Sequence, residues 1–263
     1  MKAILLALAI GLSAPSALAQ APARIVVLTS DVSDMVIALG AAAQVVGRDR
    51  SSRQPELAHA AEIGVSRALS VEPIAPLKPT LVLGSSQAQP PGIWRQLHAL
   101  GLDARQVSAR EDGRDFADAV RRVGHWLGRD SQAQALAQRW QAGMAAQPAT
   151  GKRYLISYDG RMAAGRGTAA DVLIRAAGGV NAAAAIDGVK PMNREAWLAA
   201  RPDVVIVAAH NRAVYGGLDA LKARPELADS PAARAGKLFE MPAREVFMLT
   251  LDSPDVVRRL RAL

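Results

Sequence analysis

The sequence EPIAPLKPTLVL at residues 72–83 is matched in pattern by EAWLAARPDVVI at residues 195–206. Each stretch starts with a Glu, has a basic residue and a Pro six and seven positions later, and ends in a short apolar run. The pattern predicts a short helix ended by the Pro and then a buried parallel strand. One α/β unit used twice indicates two similar lobes that face each other across a cleft.

Strand and helix patterns alternate along the rest of the chain, which is typical of mostly parallel sheets. In the first lobe, the predicted elements cover residues 24–28, 30–39, 45–46, 72–77, 80–84, 92–100 and 104–107. In the second lobe, they cover residues 153–158, 169–177, 204–208 and 254–260. We therefore predict an α/β fold with two Rossmann-like lobes.

The region between the lobes has a helical period instead. It holds two amphipathic stretches separated by Gly128, and the second is long enough to join the lobes as a stiff connector of about 27 Å. The predicted organisation is a signal peptide at residues 1–19, an N-terminal lobe at 20–127, a connector helix at 128–146 and a C-terminal lobe at 147–263.

The N-terminus predicts export from the cytoplasm. Lys2, the apolar run 4–12 and the small-residue end at 17–19 are typical of a signal peptide that is cleaved near Ala19. The chain has no Cys, so it has neither a disulfide framework, nor a thiolate metal site, nor a lipid acceptor. We expect a free, monomeric protein in the periplasm.

Composition narrows the possible functions. The formal charge of +8 favours anionic ligands or surfaces. Aromatic residues make up only 4% of the chain and no basic stripe is interleaved with them, which argues against nucleic acid as a partner. The chain lacks a Gly-x-Ser-x-Gly elbow and a complete dinucleotide-binding pattern, so we predict no enzymatic activity.

The ends of the predicted strands indicate where a ligand would bind. In open parallel sheets, ligands bind beyond the carboxyl ends of the strands. These ends fall at residues 29–33, 64–67, 84–89, 158–168 and 208–215. The arginines near these segments could pair with carboxylates, although each could equally be a solvated surface charge; they are Arg48, Arg53, Arg67, Arg161 and Arg166.

Four segments, residues 31–40, 47–55, 77–83 and 164–181, resemble the periplasmic haem-binding proteins of bacterial haem ABC importers. AGRGTAAD at 164–171 is the most specific motif, whereas KPTLVL at 78–83 also occurs in the wider class of helical-linker (class III) proteins that carry cobalamin and siderophores. The resemblance covers essentially the whole mature chain. It implies that the protein transports haem for iron acquisition, with a permease and ATPase complex as its partner.

The resemblance also implies a role for the repeated glutamates. In this class, one Glu on the tip of each lobe meets arginines of the permease, and Glu72 and Glu195 stand at the matching positions. Two carboxylates, one on the tip of each lobe, suit a permease with twofold symmetry, because each half of that permease offers the same basic pocket. The alternative is that both are ordinary acids at a helix N-terminus.

The chain departs from the family at one important position. The usual haem-iron Tyr lies in a Gly-Tyr-x-Arg segment, which here reads Gly64-Val65-Ser66-Arg67, and Val65 cannot coordinate iron. Tyr158 ends a second-lobe strand, in a segment where some family members have a His. A phenolate suits ferric haem and Arg161 could stabilise it, so we predict that ligation has moved to Tyr158. Alternatively, Tyr158 is a half-buried aromatic at a strand end.

The remaining site predictions are weaker. His210 and Tyr215 are backup iron ligands. The predicted haem and propionate contacts are Arg67, Arg161, Arg166, Met162 and Arg48. Two alternatives stay open, namely the same fold carrying a ferric siderophore or a corrinoid, and a haem chaperone or sensor that never docks on a permease.

Overall fold

Two β-sheets organise the chain in the computed structural model, which describes residues 23–108, 110 and 112–263. The predicted signal peptide, residues 1–19, lies outside the described residues. Within the described ranges, no helix has both the length and the apolar character needed to cross a membrane.

The first sheet is entirely parallel, with the strand order β3-β2-β1-β4-β5. Its strands are β1 (Ile25–Val27), β2 (Val45–Arg48), β3 (Ala61–Glu62), β4 (Leu81–Gly84) and β5 (Ala104–Gln106). The helices up to the second sheet are α1 (Ser30–Ala38), α2 (Ile93–Ala99), α3 (Phe116–Trp126) and α4 (Asp130–Gly143). We call this sheet, with α1 and α2, the first lobe.

The second sheet is mostly parallel, with the order β11-β10-β6-β7-β9, and β8 pairs with β6. Its antiparallel pairs all involve β7. The strands are β6 (Arg153–Ser157), β7 (Met162–Ala164), β8 (Val180–Asn181), β9 (Val189–Pro191), β10 (Val204–Ala208) and β11 (Leu238–Met241). The helices are α5 (Ala169–Ala176), α6 (Arg194–Ala200), α7 (Arg212–Tyr215), α8 (Leu218–Lys222), α9 (Pro225–Ala228), α10 (Pro231–Arg234), α11 (Ala243–Phe247) and α12 (Ser253–Ala262). The predicted α/β fold is confirmed, and this second unit is the second lobe.

The two copies of the repeat fold differently before their strands. The second copy forms helix α6 and strand β10, as predicted. In the first copy, the predicted helix 72–77 is wrong, because only the 3₁₀ turn Ala75–Leu77 is present there. Pro76 explains the difference, since beyond the first turn a Pro removes a backbone donor and clashes with the carbonyl four residues earlier, here that of Glu72.

Both copies nevertheless end in the same unusual backbone conformation. Lys78 has φ 47° and Arg201 has φ 39°, and each precedes a Pro and then a buried strand. A positive φ is uncommon for a residue other than Gly. The equivalence of the two copies is therefore more complete at the strand entry than in the helix.

The two lobes share one hydrophobic core. It includes Val27 of the first sheet, Ile206 of the second and Trp140 of α4. Helices α3 and α4 pack as a close pair, since a Cβ at Gly124 would lie 2.0 Å from the Cβ of Ala133. Because α3 also contacts α1 and α4 contacts α12, this pair lies between elements of the two lobes.

Helix α4 has 14 residues, which at about 1.5 Å per residue makes it ~21 Å long, shorter than the predicted connector at 128–146. Its Trp140 donates a 2.8 Å hydrogen bond to the carbonyl of Thr250, and Gly143 lies against Pro254. The connector is thus fixed to the second lobe by close packing.

Candidate functional site

A cleft of about 490 Å³ lies where the carboxyl ends of strands from both sheets meet. This volume is within the range of small-molecule sites, ~300–1,000 Å³. The first lobe lines it with Thr29, Ser30, Asp49, Ser51, Val65, Ser66, Arg67 and Gln87. The second lobe lines it with Tyr158, Ala243, Arg244, Phe247 and Met248.

Tyr158 enters the cleft from the end of β6. The turn after it is closed by Asp159, whose Oδ1 accepts the backbone N–H groups of Arg161 and Met162 at 2.9 and 2.8 Å. Gly160 follows with φ 81°, a conformation that favours glycine. Asn211 Nδ2 donates to the Tyr158 carbonyl at 2.7 Å, so the backbone of this residue is held from two sides.

The Tyr158 ring is packed between two other aromatic side chains. Edge-on contacts join it to His210 and Phe247, with ring centroids 5.1 and 5.3 Å apart. The phenol oxygen lies 3.0 Å from His210 Nε2, a hydrogen bond in which the phenol donates when that nitrogen is unprotonated. The arrangement positions a phenol in the cleft beside a group that can take its proton.

Val65 and Arg67 lie on the opposite wall of the cleft. Gly64, with φ 107°, turns the chain so that the Val65 side chain is 38% exposed. Val65 therefore presents hydrocarbon to the cleft. Arg67 is exposed and forms no ion pair within the described ranges.

Asp49 and Asp31 introduce two buried carboxyl groups next to the cleft. The hydroxyls of Ser51 and Ser52 both donate to Asp49, which is 1% exposed. Asp31 borders a small cavity of about 30 Å³ behind the cleft, and its Oδ1 has no hydrogen-bond partner. Burial raises the pKa of Asp31 above its usual value, and hydrogen bonds from Thr29 and Ser85 oppose this only in part.

Arg244 joins the two lobes across the edge of the cleft. Arg244 is a residue of α11, and its Nη2 lies 2.5 Å from Oδ2 of Asp34 on α1. The other oxygen of Asp34 accepts a hydrogen bond of 2.5 Å from Gln54 Nε2. One of the two arginines that line the cleft is thus paired with Asp34, whereas Arg67 has no ion-pair partner among the described residues.

Four of the predicted contacts lie away from the cleft lining. Arg161 borders a separate hollow with Arg194 and Arg224, and Met162 is in β7. Arg166 pairs with Asp187 at 3.0 Å on the surface. Arg48 donates to the backbone carbonyls of Leu57 and Asp49.

The backup ligand Tyr215 is also engaged elsewhere. Its side chain is buried, and its hydroxyl donates to Glu240 Oε1 at 2.8 Å. Burial, with Glu240 as a further cause, raises the pKa of Tyr215 to about 12. A phenolate is therefore disfavoured at this position.

Glu72 and Glu195 are exposed on opposite lobes. Glu72 lies in the turn before the 3₁₀ segment, and a hydrogen bond from Ser70 lowers its pKa below the usual value. Glu195 is in the first turn of α6. Neither carboxylate is in an ion pair with a described residue, so both are free to meet cations from outside.

Sequence reasoning missed the segment that follows β11, which supplies Arg244, Phe247 and Met248. The rule that located the other loops would have found it, since Leu238–Met241 is a parallel strand whose carboxyl end also reaches the cleft. Among the described residues, no group of three or more His, Cys, Asp or Glu side chains is arranged to hold a metal ion.

Comparison with known proteins agrees with a binding site of this kind. A family model described as periplasmic binding protein matches residues 25–245. No curated protein matches the chain. The descriptions of the matching family and of the solved structures below are of binding proteins, and none is of an enzyme.

Three similar solved structures are described as periplasmic heme-binding proteins. RhuT from Roseiflexus sp. RS-1, in apo form, is 32% identical over 91% of this chain and 96% of its own, with a TM-score of 0.81. BhuT in complex with two hemes is 31% identical over 91% and 96%, with a TM-score of 0.80. A protein from Pseudomonas aeruginosa is 30% identical over 92% of both chains, with a TM-score of 0.75.

Proposed function

This chain belongs to the periplasmic binding protein family, and from this premise we propose that it captures ferric haem in the cleft and delivers it to an inner-membrane ABC importer. It is a binding protein and not an enzyme. The observation that carries the choice of haem is the Tyr158 phenol, which lies in an aromatic wall of the cleft 3.0 Å from His210 Nε2. The heme-binding descriptions of similar solved structures support the same choice.

Tyr158 is the proposed iron ligand. A phenolate is a hard anionic donor that suits ferric haem. His210 can accept the phenol proton, and it stays the backup ligand if Tyr158 does not bind. Phe247 and Met248 would contact the porphyrin from the second lobe, and Val65 would meet its other face without binding iron.

Arg67 and Arg244 are the proposed partners of the propionates, because both line the cleft and a guanidinium can bind a carboxylate in a bidentate manner. Arg48, Arg161, Arg166 and Met162 lie outside the cleft lining, so we assign them no haem contact. Tyr215 is likewise left out because Glu240 holds its hydroxyl.

Delivery would use Glu72 and Glu195 as the contacts with permease arginines, one from each lobe. Their exposure and freedom from ion pairs within the described ranges support this role. We further propose that residues 1–19 are removed on export and that the mature protein is a periplasmic monomer with lobes at 20–127 and 147–263.

Absorbance titration with ferric haem tests the choice of cargo. The purified protein should give a saturable Soret shift and a phenolate charge-transfer band. Tyr158→Phe should lose the band, and Tyr215→Phe, which removes a hydroxyl outside the cleft, should keep it. A shift that survives in Tyr158→Phe would keep haem and move the ligand to His210.

Haem uptake by cells tests delivery. Charge reversal by Glu72→Lys together with Glu195→Lys should abolish uptake while the haem affinity of the purified protein stays unchanged. Glu56→Lys, at another exposed acid of the first lobe, is the matched control. Uptake that persists in the double variant would favour a haem chaperone or sensor that does not dock.

A ferric siderophore or a corrinoid is the second candidate cargo. Val65 favours it, because the position where the family usually has its iron ligand offers only hydrocarbon, and two arginines could bind an anionic chelate without iron ligation. The absence of any saturable Soret change in the titration would support this candidate and exclude haem.

A further inference from the structure

The ion pair between Arg244 and Asp34 differs from the other ion pairs of the described residues because it joins the two lobes. Its partners are separated by 210 residues in the sequence and by 2.5 Å in space. The Asp34 side chain is 15% exposed, whereas the Arg244 side chain is 45% exposed and also lines the cleft. The arginine can therefore be reached by a ligand, but its carboxylate partner is largely covered.

Asp34 is held in place independently of Arg244. It belongs to helix α1, and its second oxygen accepts the hydrogen bond from Gln54. Loss of the arginine would therefore leave the carboxylate in position with one partner. Arg244 is the second residue of a helix of only five residues, and its long side chain is half exposed, so it is the partner that a ligand can reach.

Release of Arg244 from this pair has a free-energy cost. Burial raises the pKa of Asp34 above its usual value even though Arg244 acts to lower it, and Asp252 and Asp31 add to the rise. Because the Asp34 carboxylate stays buried when the guanidinium leaves, its lost hydration is not recovered. A ligand carboxylate therefore has to compete with Asp34 for Arg244.

We propose that Asp34 binds Arg244 until a carboxylate of the cargo replaces it at the guanidinium. We call this exchangeable ion pair between the two lobes the clasp. The inference rests on the proposed function, because it needs a cargo with carboxylate groups. One carboxylate replaces another at Arg244, and Asp34 keeps its bond to Gln54. The clasp selects for ligands that bring a carboxylate to the Arg244 side of the cleft.

A comparison of two porphyrins tests the clasp apart from haem binding in general. Ferric haem has free carboxylates, whereas its dimethyl ester has none. Asp34→Asn keeps an acceptor for Gln54 but frees Arg244, so it should tighten haem binding about fivefold, the effect expected of a half-exposed ion pair. Binding of the dimethyl ester should not change. Arg244→Gln should weaken haem binding and leave the ester unaffected, and the double variant should behave as Arg244→Gln alone.

Glu245→Gln is the matched control. Glu245 follows Arg244 on the same helix, and its ion pair with Arg259, at 2.6 Å, stays within the second lobe. This variant should bind both porphyrins like the unaltered protein. Weaker haem binding by Asp34→Asn, or equal effects on haem and its ester, would overturn the clasp while haem binding by the unaltered protein stands. Failure of the unaltered protein to bind haem would overturn both the clasp and the proposed function.

Discussion

The two walls of the cleft come from equivalent edges of two α/β sheets, but they carry different chemistry. The first-lobe wall offers Val65, hydroxyl groups and the buried Asp49. The second-lobe wall offers Tyr158 with His210 and Phe247 packed around it. Similar backbone topology therefore forms both walls of the cleft, whereas the side chains at the strand ends place a phenol on the second-lobe wall and hydrocarbon at Val65 on the first.

The strongest test of this contrast moves the proposed iron-binding tyrosine from the second lobe to the first. In the Tyr158→Phe background, Val65→Tyr should restore the phenolate charge-transfer band and recover an affinity loss of roughly 100-fold, equivalent to ~2.7 kcal/mol. The reason is that residues 65 and 158 line the same cleft from opposite sides. Absorbance titration of the single and double variants provides the measurement.

Val65→Leu in the same background is the control, because it fills the position without a phenol. Recovery in Val65→Leu as well would mean that packing and not ligation sets the affinity. No recovery in Val65→Tyr would show that the walls are not interchangeable, even though their backbones are equivalent.

A smaller effect should come from the partner of the phenol. His210→Gln removes the ring nitrogen that lies 3.0 Å from the Tyr158 oxygen. Without this hydrogen-bond partner, the Tyr158 oxygen should bind haem iron less well, so haem affinity should fall by roughly tenfold and the charge-transfer band should weaken. Absorbance titration of the variant with ferric haem provides the measurement.

Phe247→Leu is the control for packing, since Phe247 contacts the same ring without a polar group. It should leave the charge-transfer band in place. An unchanged band and haem affinity in His210→Gln would show that His210 only packs against the tyrosine.

The smallest expected effect is on the free energy of unfolding, and it comes from Asp31 of the first lobe. The pKa of Asp31 is raised by burial, so the folded state binds its proton more tightly than the unfolded state does. The free energy of unfolding therefore falls as pH rises from the unfolded pKa, near 3.8, through the raised folded pKa. Asp31→Asn removes this loss and should be more stable than the unaltered protein at pH 7, by about 1 kcal/mol.

Urea unfolding at pH 4 and pH 7 checks this sign, because the advantage of Asp31→Asn should shrink toward the lower pH. Asp112→Asn should do the opposite. Arg110 lowers the pKa of Asp112 in the folded state, so that its stabilising contribution is present above the unfolded pKa and is lost as the pH falls. Equal behaviour of the two variants would refute the assignment of these charges.

The pattern of the sequence predicted the lobes and the position of the cleft because both depend on local signals. Strand β10 and helix α6 fall where the second repeat places them. Tyr158 lies in the cleft because it directly follows β6, a parallel strand of the second sheet. The helix predicted at residues 72–77 is wrong for an equally local reason, because Pro76 outweighs the similarity to the second copy.

The sequence by itself determined the alternation of strands and helices, the repeat, and the absence of an iron-binding side chain at Val65. Hydrophobic period, proline and glycine act within a few residues, so these features can be seen along the chain. Only the tertiary structure decided that His210 meets the Tyr158 phenol, that Glu240 engages Tyr215, and that Asp34 holds Arg244. These contacts join residues 25 to 210 positions apart, and side-chain pairing over such distances depends on how the sheets and helices pack.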